Sequence, residues 1–106
     1  QIKRAGVRAN KGKIFVKYLI CYDITEDNIR AKMVRYLEEF AYRMQYSVFN
    51  CNLNSKEADS VWLDLMEIVA ESEKGSVLMT PLCKTCAKSL RLSGNPLEEE
   101  KGFLVV

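Results

Sequence analysis

The sequence predicts an α+β fold in which two amphipathic helices cover one face of an antiparallel sheet. Two stripes of apolar residues recur at the three- to four-residue spacing of a helix face. Around these stripes lie short runs rich in aromatic and β-branched residues, which are typical of strands. With 106 residues, 48% of them hydrophobic, the chain has the size of a single domain with its own core.

The first predicted strand spans residues 17–23, and both of its alternating faces are apolar. Leu19 and Cys21 occupy one face, and the other face carries Tyr18, Ile20 and Tyr22. A strand of this kind is expected to be covered on both sides. Since the helices of so short a chain cover only one face of the sheet, we expect a partner subunit on the other.

The first helix is predicted over residues 26–41. Thr25 is its expected N-cap, and acidic residues follow at the positive end of the helix dipole. The apolar stripe consists of Ile29, Met33, Leu37 and Phe40.

Residues 42–53 are predicted to be extended, and their length indicates either a bend or bulge or two strands in close succession. Asn54 and Glu57 have the spacing of a capping box and begin a second helix over residues 55–72. Its apolar stripe consists of Ala58, Val61, Trp62, Leu65, Ile68 and Val69.

A third run, residues 76–82, is predicted to be a strand that Pro81 brings toward its end. After a loop and an acidic stretch, residues 103–106 form a short apolar strand. The order of elements predicts a ferredoxin-like βαββαβ sandwich with an additional C-terminal strand. Nothing in the sequence is assigned to the second face of the sheet, which favours association through that face.

The charge is unevenly distributed, because the first seventeen residues contain six basic residues and no acidic one. Ten basic and fourteen acidic residues remain, a net charge of −4. We expect residues 1–16 to be a basic extension to a domain at 17–106. The extension either lies along nucleic acid phosphates or is a solvated, partly disordered tail that need not be native.

The chain shows no export signal or membrane span, so we expect a cytoplasmic protein with reduced thiols. Of its four cysteines, Cys21 and Cys51 lie in apolar strands and are expected to pack as small hydrophobic residues. Cys83 and Cys86 form a CxxC motif, which supplies two of the four ligands of a structural zinc site. Helix-turn packing is the favoured interpretation, with a zinc or redox role as the alternative.

Asp23, at the end of the first strand, is the main candidate for chemistry. The sequence contains no histidine, which excludes histidine-based triads and histidine general bases. One interpretation makes Asp23 a ligand of Mg²⁺, with a second copy of the chain supplying a second carboxylate. The other interpretation is structural, with Asp23 turning the chain from strand to helix.

Phosphodiester chemistry would also need cations. Basic residues cluster on the first helix and the following strand, namely Arg30, Lys32, Arg35 and Arg43. Ser47 is suited to a hydrogen bond with a phosphate, and Phe49 to stacking on bases or packing in a core or interface.

Three phrases resemble the CRISPR-associated protein two family of spacer acquisition. They are residues 18–27 (YLICYDITED), 30–32 (RAK) and 43–53 (RMQYSVFNCNL), and the similarity extends over about residues 17–106. The resemblance implies a ferredoxin-like homodimer joined through its sheet faces, with the terminal strand of tail 97–106 completing the partner's sheet. It also implies a metal-dependent nuclease of RNA or double-stranded DNA, and the central dimer of a complex with the CRISPR integrase.

Carried over by position, the resemblance makes Asp23 the Mg²⁺ ligand and Tyr22 its neighbour in the site. Arg30 and Arg43 match basic positions implicated in activity, and Phe49 matches an aromatic one. The predicted function is a homodimeric CRISPR adaptation scaffold that binds duplex DNA, with an Mg²⁺-dependent endonuclease site. The alternatives are a free-standing, toxin-like endoribonuclease and a single-strand RNA binder.

Overall fold

The computed structural model describes residues 14–94, which form an α+β fold. Its elements are β1 (Val16–Asp23), α1 (Asp27–Glu38), β2 (Tyr42–Gln45), β3 (Val48–Leu53), α2 (Ser55–Val69), β4 (Ser76–Leu82) and α3 (Lys84–Lys88). The strands form one antiparallel sheet in the order β2-β3-β1-β4. This is the predicted ferredoxin-like order. Most of the basic extension and the predicted strand at 103–106 lie outside the described residues.

The hydrophobic core lies between the sheet and the two long helices. Alternation along β1 turns Ile20 and Tyr22 toward the helices, where Ile20 is fully buried. Its neighbour Phe49 on β3 and the helical residues Met33 and Leu65 are also 0% exposed. Full burial of such a side chain stabilises a fold by about 1.5–3 kcal/mol. The apolar stripes predicted from the sequence therefore form the core.

Both long helices end earlier than predicted. After α1, the backbone N–H groups of Phe40 and Ala41 both donate to the carbonyl of Leu37, at 3.1 and 2.8 Å. This tight turn directs the chain into β2. After α2, the N–H of Ser72 donates to the carbonyl of Val69 at 2.9 Å. The stripe of α1 continues to Phe40 past the end of the helix and so overestimates its length, whereas α2 ends at Val69, the last residue of its stripe.

The start of α1 also differs from the prediction. Its N-cap is Glu26 rather than Thr25, and no side chain caps the first turn. The Glu26 carboxylate instead accepts hydrogen bonds from Ser72 and Glu73 in the loop before β4. By contrast, the capping box at the start of α2 is confirmed, with Asn54 and Glu57 each accepting a hydrogen bond from the other's backbone at 2.8 and 2.9 Å.

Residues 42–53 form two strands joined by a turn at residues 46–47, one of the two arrangements predicted. The pairing of β2 with β3 shifts between Arg43 and Gln45. Met44 occupies this irregularity and is only 3% exposed.

The sheet face opposite the helices carries Leu19 and Cys21 of β1, both half-buried, and Leu78 of β4, which is 55% exposed. Part of this face is covered by a segment that the sequence did not indicate. After α3, the chain reaches β2 at the other edge of the sheet, where Gln45 Nε2 donates to the carbonyl of Ser93 at 3.2 Å. Asn50, which also lies on this face, is 1% exposed.

Candidate nucleic-acid and metal site

Asp23 is the last residue of β1, and its side chain is exposed to solvent. In the sheet it pairs with Ser76 at the beginning of β4. Because side chains alternate along a strand, Asp23 lies on the open face of the sheet while Tyr22 lies on the helix-covered face. The two residues that the resemblance places together are therefore on opposite sides of β1.

Tyr22 is 6% exposed and joins β1 to the turn between β2 and β3. Its hydroxyl donates a hydrogen bond to the carbonyl of Tyr46 at 3.1 Å. Its backbone N–H donates to the carbonyl of Ser47, also at 3.1 Å. Ser47 thus helps through its backbone to hold the end of β1 in place.

Phe49 is fully buried and stacks between two other predicted site residues. The centre of its ring is 6.3 Å from that of Tyr22 and 5.3 Å from the guanidinium carbon of Arg43. A guanidinium group over an aromatic face at this distance is attracted by the ring quadrupole. The packing role considered for Phe49 is what the structure shows, and this packing orients Arg43.

Arg30 lies on α1 and contacts the loop that follows Asp23. One guanidinium nitrogen donates to the carbonyls of Ile24 and Thr25, each at 3.1 Å. The other pairs with the carboxylate of Asp27. Arg30 therefore fixes the path of the chain directly after the candidate metal ligand.

These side chains meet in an open groove of about 380 Å³ between α1 and the β2–β3 turn. Its lining consists of Tyr22, Asp27, Arg30, Ala31, Val34, Arg35, Arg43 and Tyr46. We call this feature the arginine groove. It contains three guanidinium groups and one carboxylate, so its net charge is positive. Asp23 is not among the residues that line it.

The sequence did not assign Arg35 and Tyr46 to the site. In the sequence Arg35 is only one member of a basic cluster, and in the structure Tyr46 is 79% exposed at the turn. The groove face of α1 could have been recognised from the three- and four-residue spacing of its residues, because residues 27, 30, 31 and 34 lie on one face of the helix. Lys32 is off that face and pairs with Glu71 at 2.5 Å.

The loop before α1 is tied to the loop before β4 by Glu26. Its carboxylate accepts hydrogen bonds from Ser72 Oγ at 2.7 Å and from the backbone N–H of Glu73 at 2.9 Å. The Glu73 bond, followed by the Ser72 bond, lowers the pKa of Glu26. Gly75 permits this approach, since a Cβ there would lie 2.6 Å from Ser72 Oγ.

The residues present fit a hard divalent cation only as half of a site. Asp23 supplies one exposed carboxylate. Within residues 14–94, no group of three or more histidine, cysteine or acidic side chains converges to hold a metal ion. Since Mg²⁺ is commonly bound by one or two carboxylates together with waters and phosphate oxygens, a second copy of Asp23 or a substrate would have to complete the coordination.

Within residues 14–94, no helix is long and apolar enough to cross a bilayer. The fold and the groove together define a small α+β protein with a cationic groove beside the end of a central strand. Residues 16–89 match the sequence model of the family described as CRISPR associated protein Cas2. The match covers well over half of the chain, which belongs to the Cas2 family.

Individual relatives agree with this assignment. A protein from Synechocystis named CRISPR-associated endoribonuclease Cas2 3 is 34% identical over 90 residues, covering 84% of this chain and 97% of the relative. A protein named CRISPR-associated endoribonuclease Cas2 1 from Archaeoglobus fulgidus is 30% identical over 89 residues, covering 80% and 94%.

Among solved structures, a chain from a partial Cas6-RT-Cas1–Cas2 complex superposes with a TM-score of 0.64 at 28% identity, covering 80% of this chain and 99% of the other. A hypothetical protein from Thermus thermophilus superposes with a TM-score of 0.66 at 23% identity, covering 81% and 100%, and supports the fold.

Proposed function

We propose that this chain acts in CRISPR adaptation as a homodimeric scaffold that binds duplex DNA and bridges subunits of the CRISPR integrase. The arginine groove, in a chain of the Cas2 family, is the observation that carries this proposal. Guanidinium groups are suited to phosphate oxygens because their planar array of donors matches the oxygen geometry.

Two of the three cations of the groove are held in position before any ligand arrives. Arg43 rests on the ring of Phe49, and Arg30 is bonded to two backbone carbonyls. Arg35 is exposed and lies beside them in the groove lining. Ordering cationic side chains in advance lowers the entropy cost of binding a phosphate backbone. Tyr46 adds an exposed aromatic ring at the rim.

The proposed partners fit the rest of the molecule. The solved neighbour from the Cas6-RT-Cas1–Cas2 complex has the same fold, which supports an integrase as partner of this chain. The open sheet face, with the exposed Leu78 on its edge strand β4, is the surface we propose for the homodimer.

Salt-dependent binding of a DNA duplex tests the role of the groove. We expect Arg35→Gln to weaken binding and to reduce the slope of log K against log salt by about 0.9, because one phosphate contact fewer releases fewer counterions. Arg35 is the best position to change, since Arg30 also holds the loop after Asp23.

Arg91→Gln is the matched control, because it removes an exposed arginine outside the groove lining. Arg91→Gln should keep the slope of the unmodified chain, and both variants should fold to the same extent by circular dichroism. Equal slopes for Arg35→Gln and the unmodified chain would contradict the groove as a phosphate site.

A second candidate function is a metal-dependent endoribonuclease, favoured by the exposed carboxylate of Asp23. The relatives that carry the name endoribonuclease match most of this chain. In this proposal Asp23 residues from two copies would hold Mg²⁺, which would stabilise the negative charge that develops on the phosphate. Arg30 would position the Asp23 loop and Arg43 would bind a neighbouring phosphate.

Asp23→Asn separates the two candidates. We expect this change to abolish Mg²⁺-dependent cleavage of RNA or DNA, because a neutral amide binds the cation weakly, while duplex binding persists. Asp59→Asn, at another exposed acid on α2, is the control and should cleave as the unmodified chain does. Cleavage that survives Asp23→Asn unchanged would exclude Asp23 as the metal ligand.

A further inference from the structure

Two cysteines lie side by side where β4 meets α3. Cys83 is the N-cap of α3, and Cys86 is the third residue of the helix. The backbone N–H of Cys86 donates to Cys83 Sγ at 3.3 Å. Both residues are exposed, and neither thiol is in a disulfide. The backbone at this junction therefore brings two accessible sulfurs together.

The two thiols are not chemically equivalent. The backbone bond from Cys86, followed by a bond from the Cys86 thiol, lowers the pKa of Cys83. The same interaction between the side chains raises the pKa of Cys86. A thiolate is the form that attacks a disulfide, so Cys83 is the better nucleophile and Cys86 is placed to react second.

The other two cysteines lack these properties. Cys51 is 0% exposed in the core. Cys21 is half-buried on the open face of the sheet, and this burial raises the pKa of its thiol. Reactivity toward an oxidant in solution should therefore concentrate at the CxxC motif.

We propose that Cys83 and Cys86 form a reversible dithiol–disulfide pair, a redox site separate from the arginine groove and from Asp23. The oxidant class is a small-molecule disulfide such as oxidised glutathione. Cys83 thiolate attacks one sulfur of that disulfide, forming a mixed disulfide and releasing one glutathione thiolate. Cys86 then loses its proton and attacks Cys83 Sγ, which releases the second glutathione. The protein gives up two electrons and two protons, and one oxidised glutathione becomes two reduced molecules.

The observations favour this pair over a metal site. Structural zinc takes four ligands, and the CxxC supplies two. In the part of the chain that the structure describes, no third histidine, cysteine or acidic side chain joins them to hold a metal. A disulfide needs only two sulfurs, and the N-cap contact between Cys83 and Cys86 already brings the two residues together.

Equilibration in glutathione buffers of stepped composition, followed by alkylation and mass analysis of the intact chain and of its peptides, tests the proposal on the full chain. We expect two alkylatable thiols to disappear together as the buffer becomes oxidising, with a loss of two hydrogen atoms from the peptide that contains Cys83 and Cys86. All four thiols should return in a reducing buffer.

Single substitutions test the order of the two steps. Cys86→Ser should accumulate a mixed disulfide between Cys83 and glutathione, because the resolving thiol is missing. Cys83→Ser should accumulate less of the adduct, because Cys86 is not at the N-cap position where the backbone N–H of residue 86 lowers the pKa of Cys83. Cys21→Ser, which removes a thiol outside the motif, should keep the oxidation midpoint of the unmodified chain.

Several outcomes would overturn the proposal. Four alkylatable thiols across every buffer would show that the pair does not oxidise. Equal glutathione adducts on the two single variants would contradict Cys83 as the nucleophile. Thiols that are shielded until a strong zinc chelator is added, with no loss of hydrogen, would identify a metal site instead.

Discussion

Tyr36 is a single residue that joins the two long helices by a hydrogen bond. It lies on α1, is 6% exposed and donates a hydrogen bond from its hydroxyl to Asp64 Oδ2 on α2 at 2.7 Å. Burial first, and then the bond to Asp64, raises the pKa of Tyr36 above its ordinary value of 10.0. The hydroxyl therefore keeps its proton in the folded chain at a pH where the unfolded chain releases it.

Tyr36→Phe should lower the free energy of unfolding by about 1.5 kcal/mol at neutral pH, the value of a hydrogen bond to a charged group. The stability linked to this proton is fully present below pH 10.0 and is lost as the pH rises toward the folded pKa. The variant should therefore lose less stability than the unmodified chain on the alkaline side. Urea unfolding at neutral and alkaline pH measures both effects.

Tyr46→Phe is the control for Tyr36, because it removes a tyrosine hydroxyl that is 79% exposed at the groove rim. Its stability should match that of the unmodified chain at every pH. If Tyr36→Phe showed the same alkaline loss as the unmodified chain, Tyr36 would not be the group that is linked to folding.

At the scale of residues, the sequence named Arg30 and Arg43, two of the three groove arginines, as site residues, but did not predict how they are arranged. Two-residue alternation along β1 separates Tyr22 from Asp23, although the two are adjacent in the sequence. Arg43 contacts Phe49 because the two residues pair across β2 and β3. The register of this pairing shifts directly after Arg43. The register between two strands cannot be predicted from the residue pattern of either strand alone.

At the scale of elements, the loop before α1 is held by an interaction across 46 residues of sequence. The Glu26 carboxylate accepts hydrogen bonds from the Ser72 hydroxyl and the Glu73 backbone N–H. These bonds hold the loop after β1 against the loop before β4. A sequence pattern predicts a cap from its own neighbours and therefore selected Thr25. The capping box of α2 was predictable because both partners lie within four residues.

Glu26→Gln should lower stability near neutral pH and make it less sensitive to acid. The folded pKa of Glu26 is lowered, so its stabilisation is present above the ordinary pKa of 4.5 and is lost as the pH falls through the lower folded value. Glutamine has no carboxylate to titrate. Unfolding midpoints compared at neutral and acid pH measure this difference.

Glu67→Gln, at an exposed glutamate of α2, is the matched control and should follow the unmodified chain across the same pH range. Because Glu26 also anchors the loop next to Asp23, Glu26→Gln should reduce any Asp23-dependent cleavage. An acid profile that is identical in Glu26→Gln and the unmodified chain would contradict the anchor.

At the scale of the whole molecule, the sequence predicted the ferredoxin-like fold and the helix-covered core because both follow from period and element order. It also predicted a sheet face that the helices leave open. It missed the segment after α3 that reaches Gln45, since residues 90–93 carry no helical or strand period. The open face is therefore smaller than the sequence suggested.

Leu78→Asp tests whether the remaining open face joins two copies of the chain. Leu78 is 55% exposed and lies on the edge strand β4, where it pairs with Cys21 of β1 on this face. Losing the burial of a leucine removes about 1.5–3 kcal/mol, and an unpaired carboxylate in an apolar contact adds to the cost. The dimer dissociation constant should rise by roughly tenfold or more, measured by sedimentation equilibrium. Leu63→Asp, at a leucine 63% exposed on α2, should leave the dimer intact. A Leu63→Asp chain that dissociates while Leu78→Asp stays dimeric would place the interface on the helices instead.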